Sequence, residues 1–153
     1  MIHHQRVLKL QTTGKALYPI TAPVRELVAQ SRVHTGLCTL FVRHTSASLI
    51  IQENADPDVL ADLETFLSTL VPEDERLYRH SAEGADDMPA HIRSALTRTS
   101  ETIPIVDGRL ALGTWQGLYL WEHRHQRQHR EILVHVSGMS QDSGQQAAQA
   151  LSQ

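Results

Sequence analysis

The apolar positions of this chain change period several times, and each change marks an element. Residues 5–13 mix apolar and polar residues roughly at period two and stop before Gly14, which predicts a half-buried strand. Thr21-Ala22-Pro23 then opens a short helix, with Thr21 as N-cap, Pro23 in the first turn, and Leu27 and Val28 turned inward. Gly36 is expected to close that unit. Leu37 to Val42 is an unbroken run with the length of a buried strand, and Ser48 to Ile51 makes a second. Asn54-Ala55-Asp56-Pro57 breaks the sheet and starts another helix, capped by Asp56 with Pro57 at its first position. Val59, Leu60, Leu63, Phe66, Leu67 and Leu70 give that helix one apolar face as far as Pro72.

Residues 78–88 show almost no apolar content and no period. Pro89 begins a third helix, capped by Asp86 or Asp87, with Ile92, Ala95 and Leu96 facing in. The remainder reads as an antiparallel meander. Thr102–Val106 and Arg109–Leu112 flank a hairpin turn at Asp107-Gly108, and Gly117–Trp121 and Ile132–Val136 follow. After Gly138 the composition shifts to Gln, Ser and Ala. The expected organisation is one domain over residues 1–139 and a flexible C-terminal tail over 140–153. About six strands and three helices, with strands crowded late in the chain, indicate an α+β class and a mostly antiparallel sheet.

Composition narrows the function. With 153 residues and 41% apolar content the chain can build one core, and no stretch approaches the roughly 20 apolar residues of a membrane span. A net charge of −3, with acids and bases interspersed, argues against nucleic acid and membrane surfaces as partners. The single cysteine, Cys38, can form no internal disulfide, and the N-terminus lacks a secretion pattern, so a cytoplasmic setting is expected. Ten histidines against fourteen Lys plus Arg is the unusual figure, since imidazole is the commonest metal ligand.

Three segments carry candidate chemistry. His80 to His91, with Glu83, Asp86 and Asp87 between them, offers the mixed nitrogen and oxygen donors that a divalent ion accepts. The alternative is a solvated His80 and two helix-capping aspartates. His44-Thr45-Ser46-Ala47-Ser48 ends an apolar strand in an imidazole and hydroxyls, the pattern of a ligand contact or of a plain surface turn. Gly113-Thr114-Trp115-Gln116-Gly117, followed by Glu122-His123-Arg124, reads either as a backbone kept narrow for close approach or as a tight turn anchored by Trp115. Arg124 or Arg130 would meet a phosphate, or the run Arg124, Arg127, Arg130 is only a solvated hairpin end.

These segments, together with Glu53-Asn54-Ala55-Asp56-Pro57 and the run Glu83 to Ile92, occur in this order in the YjbQ-like family, which the chain resembles over about residues 5–138. The family is uncharacterised and is also labelled secondary thiamine-phosphate synthase. The resemblance implies a two-sheet β-sandwich assembled as a homotrimer, with metal or anion sites near subunit boundaries. It carries over His44, His80, Asp86, Asp87, His91, Gln116 and Glu122.

The leading expectation is a transferase that joins a pyrimidine pyrophosphate to a thiazole phosphate, with a divalent metal ion, Mg or Zn, neutralising the leaving group. His44, Asp87, Gln116 and Glu122 are the candidate catalytic residues. Ser46, Asn54, Trp115, Arg124 and Arg130 are candidates for binding a small phosphorylated molecule, and His44, His80, Asp86, Asp87 and His91 for binding metal. The rivals are another metal-dependent enzyme, hydrolase-like, and a non-catalytic trimer that binds a small anion.

Overall fold

A computed structural model describes residues 1–141. Its elements run β1 (Ile2–Thr12), β2 (Ala16–Pro19), α1 (Thr21–Ser31), β3 (Thr35–Val42), β4 (Ala47–Glu53), α2 (Pro57–Leu70), α3 (Asp87–Leu96), β5 (Ser100–Val106), β6 (Arg109–Leu110), β7 (Gln116–Glu122) and β8 (Gln128–Met139). The strands form a five-stranded sheet, β1-β8-β3-β5-β6, and a three-stranded sheet, β2-β7-β4. Every named ladder is antiparallel.

Strand alternation explains the core. β8 buries Arg130, Ile132, Val134 and Val136, and the facing positions of β3 are Val42, Leu40 and Cys38. From the other sheet, Leu49 of β4 and Leu118 and Leu120 of β7 join the same cluster, and Val24 and Val28 of α1 close it. This is the α+β, two-sheet arrangement expected. The beginning of the tail aside, residues 142–153 lie outside the described residues.

Several local expectations are corrected. Gly36 does not end a unit; it lies inside β3 opposite Gly138, where a Cβ would stand 2.1 Å from the Ser137 carbonyl oxygen. The two strands pass there at a distance that admits no side chain. Thr21 is the first residue of α1 and not its cap, because its hydroxyl accepts from the Leu118 amide at 2.8 Å and so ties the helix to β7. β2 has only four residues, too few for alternation to reveal it. The turn at Asp107-Gly108 is as expected: both residues have positive φ, 50° and 73°, as a type I′ turn requires. Asp56 caps α2 through the Asp58 amide at 2.9 Å, with Pro57 first in the helix. Of the apolar face of α2, however, only Leu67 is buried.

α3 departs most. It begins at Asp87, and it buries Asp87, Pro89, Ala90, Arg93 and Ser94, while Leu96 is 59% exposed and Ala95 is exposed. The docking is made by hydrogen bonds: Ser94 Oγ donates to the Ala47 carbonyl at 3.0 Å and Arg93 to the Val71 carbonyl at 2.8 Å. A face that mixes Pro89 and Ala90 with Asp87, Arg93 and Ser94 therefore points inward, and the charged first turn of α3 is delivered to one end of the sandwich.

Candidate metal centre at one end of the sandwich

Five strand ends meet where β1, β3 and β7 finish and β4 and β8 begin. The inward face of β7 runs Leu118, Leu120, Glu122, so alternation puts a carboxylate at the edge of the core. Glu122 is fully buried, and Arg130, the first inward residue of β8, faces it at 4% exposure. Arg130 Nε donates to Glu122 Oε2 at 2.7 Å, and Nη2 donates to Oε1. The Thr12 hydroxyl at 2.7 Å and the Arg124 amide at 3.0 Å complete the carboxylate's partners. Arg130 Nη2 also donates to the carbonyl and hydroxyl of Ser46, at 3.2 and 3.0 Å. Glu122, Arg130 and Ser46 are thus a closed buried network that clamps strand ends together.

Arg124, just past β7, reaches the first turn of α3. Its Nε donates to Asp86 Oδ2 at 3.0 Å, its Nη1 to Asp87 Oδ1, and its Nη2 to the Glu83 carbonyl at 3.0 Å. Asp86 also accepts the His125 amide at 2.9 Å, which is why it makes no helix-capping bond. Burial pushes the Asp86 carboxyl up, but the His125 amide and Arg124 outweigh it, and the group sits below the ordinary aspartate value. Asp87, 2% exposed, is likewise pushed up by burial and brought lower overall by His80 and Arg124.

With Oδ1 held by Arg124, Asp87 turns Oδ2 to two imidazoles. His80 Nε2 lies 2.6 Å from it and His91 Nε2 3.2 Å. One donor atom from each of the three residues lies within 4.8 Å of the others. The His91 ring is oriented by its far nitrogen. Its Nδ1 faces the Thr45 carbonyl at 3.0 Å, an acceptor, so Nδ1 carries a hydrogen, and in the neutral ring Nε2 presents a lone pair to a carboxylate oxygen. Two electron-rich atoms aimed at each other need a cation or a proton between them. An imidazole oriented through its far nitrogen by a backbone carbonyl is the usual support of a metal ligand. His80 and His91 remain 43% and 33% exposed, so the point where they converge is open to solvent.

The remaining candidates are dispersed. His44 is not in the trio: its Nε2 accepts the Glu131 amide at 2.7 Å, and burial followed by Arg130 lowers its pKa below 6.5. It borders a cavity of about 300 Å³ with Thr45, His91, Ser94, Ala95 and Thr99. Asp86 is engaged by Arg124 and His125. Arg124 and the Nε and Nη2 of Arg130 are committed to carboxylates, carbonyls and the Ser46 hydroxyl. Gln116 begins β7 and Glu122 ends it, six steps of about 3.3 Å, or roughly 20 Å apart. At that far end Asn54 donates to the carbonyls of Thr114 and Gln116 at 3.2 and 3.3 Å, and Gln116 Oε1 accepts the Gly113 amide at 2.8 Å. Trp115, 64% exposed, is not a buried anchor. These three form a self-bonded turn away from the imidazoles.

Sequence reasoning missed the Thr45 carbonyl, which no side-chain pattern marks, and His123. The latter lies on the face of β7 shared with Tyr119 and Trp121, an alternation that was available. It is fully buried, bonded through Nε2 to Ser48 Oγ at 2.8 Å, and its pKa is pushed down to about 3 by burial. Though this pairs a hydroxyl with an imidazole, neither is accessible, and the pair is structural.

Comparison with known proteins gives one consistent result. A family described as "UPF0047 protein YjbQ-like" matches residues 6–139. A UPF0047 protein of Synechocystis sp. is 67% identical over 135 residues, covering 88% of this chain and 92% of its own. The UPF0047 protein YjbQ of Escherichia coli O157:H7 is 41% identical, covering 88% and 98%. Among solved structures, an uncharacterised conserved protein of the same family from Clostridium acetobutylicum superposes with a TM-score of 0.79 at 34% identity, covering 86% of this chain and 99% of its own.

Proposed function

Since the chain belongs to the UPF0047 YjbQ-like family, whose named relatives carry no assigned reaction, we propose from its site that it is a metal-dependent enzyme of the hydrolytic kind. The supporting observation is the convergence of His80 Nε2, Asp87 Oδ2 and His91 Nε2, with the second nitrogen of His91 tied to the Thr45 carbonyl. Two imidazoles and one carboxylate suit zinc or a similar transition ion better than magnesium, which prefers an all-oxygen shell. A divalent ion held by three protein groups keeps further positions for water or substrate, and lowers the pKa of its water toward about 7. Arg124 keeps Asp87 to one ligating oxygen by occupying the other. No helix among the described residues is long and apolar enough to cross a membrane. A reducing, cytoplasmic setting fits the buried single Cys38.

The test is zinc titration of metal-stripped protein by calorimetry, with elemental analysis of the untreated protein. One equivalent is expected for the native chain, and its loss in His80→Ala and in His91→Ala. Absence of stoichiometric binding, or binding indifferent to both substitutions, defeats the proposal.

The transfer of a pyrimidine pyrophosphate to a thiazole phosphate, which the resemblance implies, is the weaker proposal. Its leaving group needs cationic donors, and Arg124 and the Nε and Nη2 of Arg130 are already committed; Glu122 is buried against Arg130. Magnesium-dependent formation of thiamine phosphate from both precursors would reverse that order. Assembly as a homotrimer is supported by apolar side chains left open on the outer face of the five-stranded sheet, Val7, Leu37 and Phe41 at 41–47% exposure. Light scattering that returns the mass of one 17.2 kDa chain counts against it.

A further inference from the structure

His91 belongs to two surroundings. Its Nε2 faces Asp87, and its ring also borders the 300 Å³ cavity shared with His44, Thr45, Ser94, Ala95 and Thr99. That wall contains no Lys, Arg, Asp or Glu. Three arginines adjoin these lining residues in sequence, and each is engaged elsewhere: Arg43 is paired with Glu131 at 3.1 Å, Arg93 is buried and donates to the Val71 carbonyl at 2.8 Å, and Arg98 is paired with Glu101 at 3.3 Å. An anionic group would therefore find no unpaired arginine at the cavity wall. A directed polar contact is available instead. Because the backbone amide of Glu131 is a donor and nothing else, His44 Nε2 must be its acceptor, and the hydrogen of the neutral ring is on Nδ1. Among the described residues Nδ1 has no partner, and it is not among the buried unpaired atoms, so it is accessible. The ring cannot rotate to hide this donor without losing the Glu131 bond.

We propose that this centre acts on a small, uncharged acyl compound, an ester or amide with a short apolar group. The apolar group occupies the cavity against Ala95 and Thr99, and the carbonyl oxygen accepts the Nδ1–H of His44. The inference rests on the metal-centre reading and narrows its substrate class. In the step, the oxygen of water bonds to the acyl carbon and the bond from that carbon to the leaving oxygen or nitrogen breaks. One proton of the water passes to the leaving group, and the other is released as the acid product ionises; no oxidant or second substrate is needed. His44 is then a catalytic residue that stabilises the oxyanion, and neither a metal ligand nor a base. Fixed donors of this sort are worth about 10²–10³-fold in kcat.

The experiment uses the full chain, zinc-loaded and metal-stripped, with p-nitrophenyl acetate and p-nitrophenyl phosphate as probes, and counts bound zinc in every sample. Zinc-dependent hydrolysis of the acetate and not the phosphate is expected. His44→Ala should keep one zinc and lose about 10²-fold in kcat. Ala95→Phe, at an exposed helix position that tolerates the larger ring, should keep one zinc while raising KM for the acetate. A preference for the phosphate, zinc-loaded protein that turns over neither probe, or unchanged parameters in both variants overturns the substrate class while leaving the metal centre intact. Failure to bind zinc at all removes the metal centre first, so the two failures are read separately.

Discussion

Arg130→Met tests the clamp beneath the metal centre. The substitution keeps most of the side-chain volume and removes the charge that faces a carboxylate with no solvent exposure. Glu122 accepts from Arg130 Nε and Nη2, from the Thr12 hydroxyl and from the Arg124 amide; the variant leaves only the last two. Stranding one member of a buried ion pair costs about 3–5 kcal/mol, whereas an exposed pair is worth under about 1 kcal/mol. For a domain of this size each kcal/mol lowers Tm by about 2–4 °C, so the expected drop is roughly 6–20 °C. Urea unfolding followed by circular dichroism should show a lower midpoint with an unchanged m-value.

Adding Glu122→Leu to Arg130→Met should recover much of the loss, because apolar residues can replace a buried pair at little net cost. The clamp also has a functional readout. Arg130 holds the Ser46 carbonyl and hydroxyl, and the neighbouring Thr45 carbonyl fixes His91, so zinc affinity should fall with the single substitution. A stability loss below about 1 kcal/mol would mean that water solvates Glu122 and that the pair is not a clamp. A double variant as unstable as the sum of the singles would show no coupling between the two groups.

Three further outcomes follow from other parts of the molecule. His123 has its pKa lowered from 6.5 to about 3, so between those values the unfolded chain takes up a proton that the folded one refuses. Stability should fall with pH there by about 1.4 kcal/mol per unit from this group, and His123→Gln, which can still bond Ser48, should remove that share of the slope; equal slopes in urea melts at pH 5 and 6 refute it. The depressed Asp86 carboxyl stabilises the fold above pH 3.8 and ceases to as the pH falls through its folded value. The deficit of Asp86→Asn at pH 7 should therefore close below pH 3.8, and a deficit that persists in acid is inconsistent with that origin. Gly36→Ala places a methyl group 2.1 Å from the Ser137 carbonyl, and should cost about 1–3 kcal/mol or more in urea unfolding; native-like stability would show that β3 and β8 can separate freely.

What the sequence makes legible is what periodicity controls. The apolar runs around β3, β7 and β8 make their existence as strands plain; β3 and β8 bury side chains at period two, whereas β7 is buried at every position after Gln116. The start of α2 and the type I′ turn are legible for another reason: Asp56-Pro57 and Asp107-Gly108 act on their own backbone, with no help from distant residues. β2 fails the first test through shortness. α3 fails it because its buried face mixes polar and small apolar residues, held to Ala47 and Val71 by hydrogen bonds, and an apolar-face criterion selects the larger residues Ile92 and Leu96 instead.

The same contrast separates the parts of the site. His80, Asp87 and His91 lie close in the chain, and a loop leading into one helical turn suffices to gather them. Asp87 and His91, four apart, share a helix face by geometry alone. Choosing among the other acids and bases required the fold, because each is decided by a partner distant in sequence. Arg130 engages Glu122, Arg124 and His125 engage Asp86 Oδ2, and the Glu131 amide engages Nε2 of His44. Chemical type alone made all of them equivalent candidates. What distinguishes them is which lone pairs and hydrogens are already spent on distant partners, and by that measure Asp87 Oδ2 and the two Nε2 atoms facing it stand apart, engaging one another.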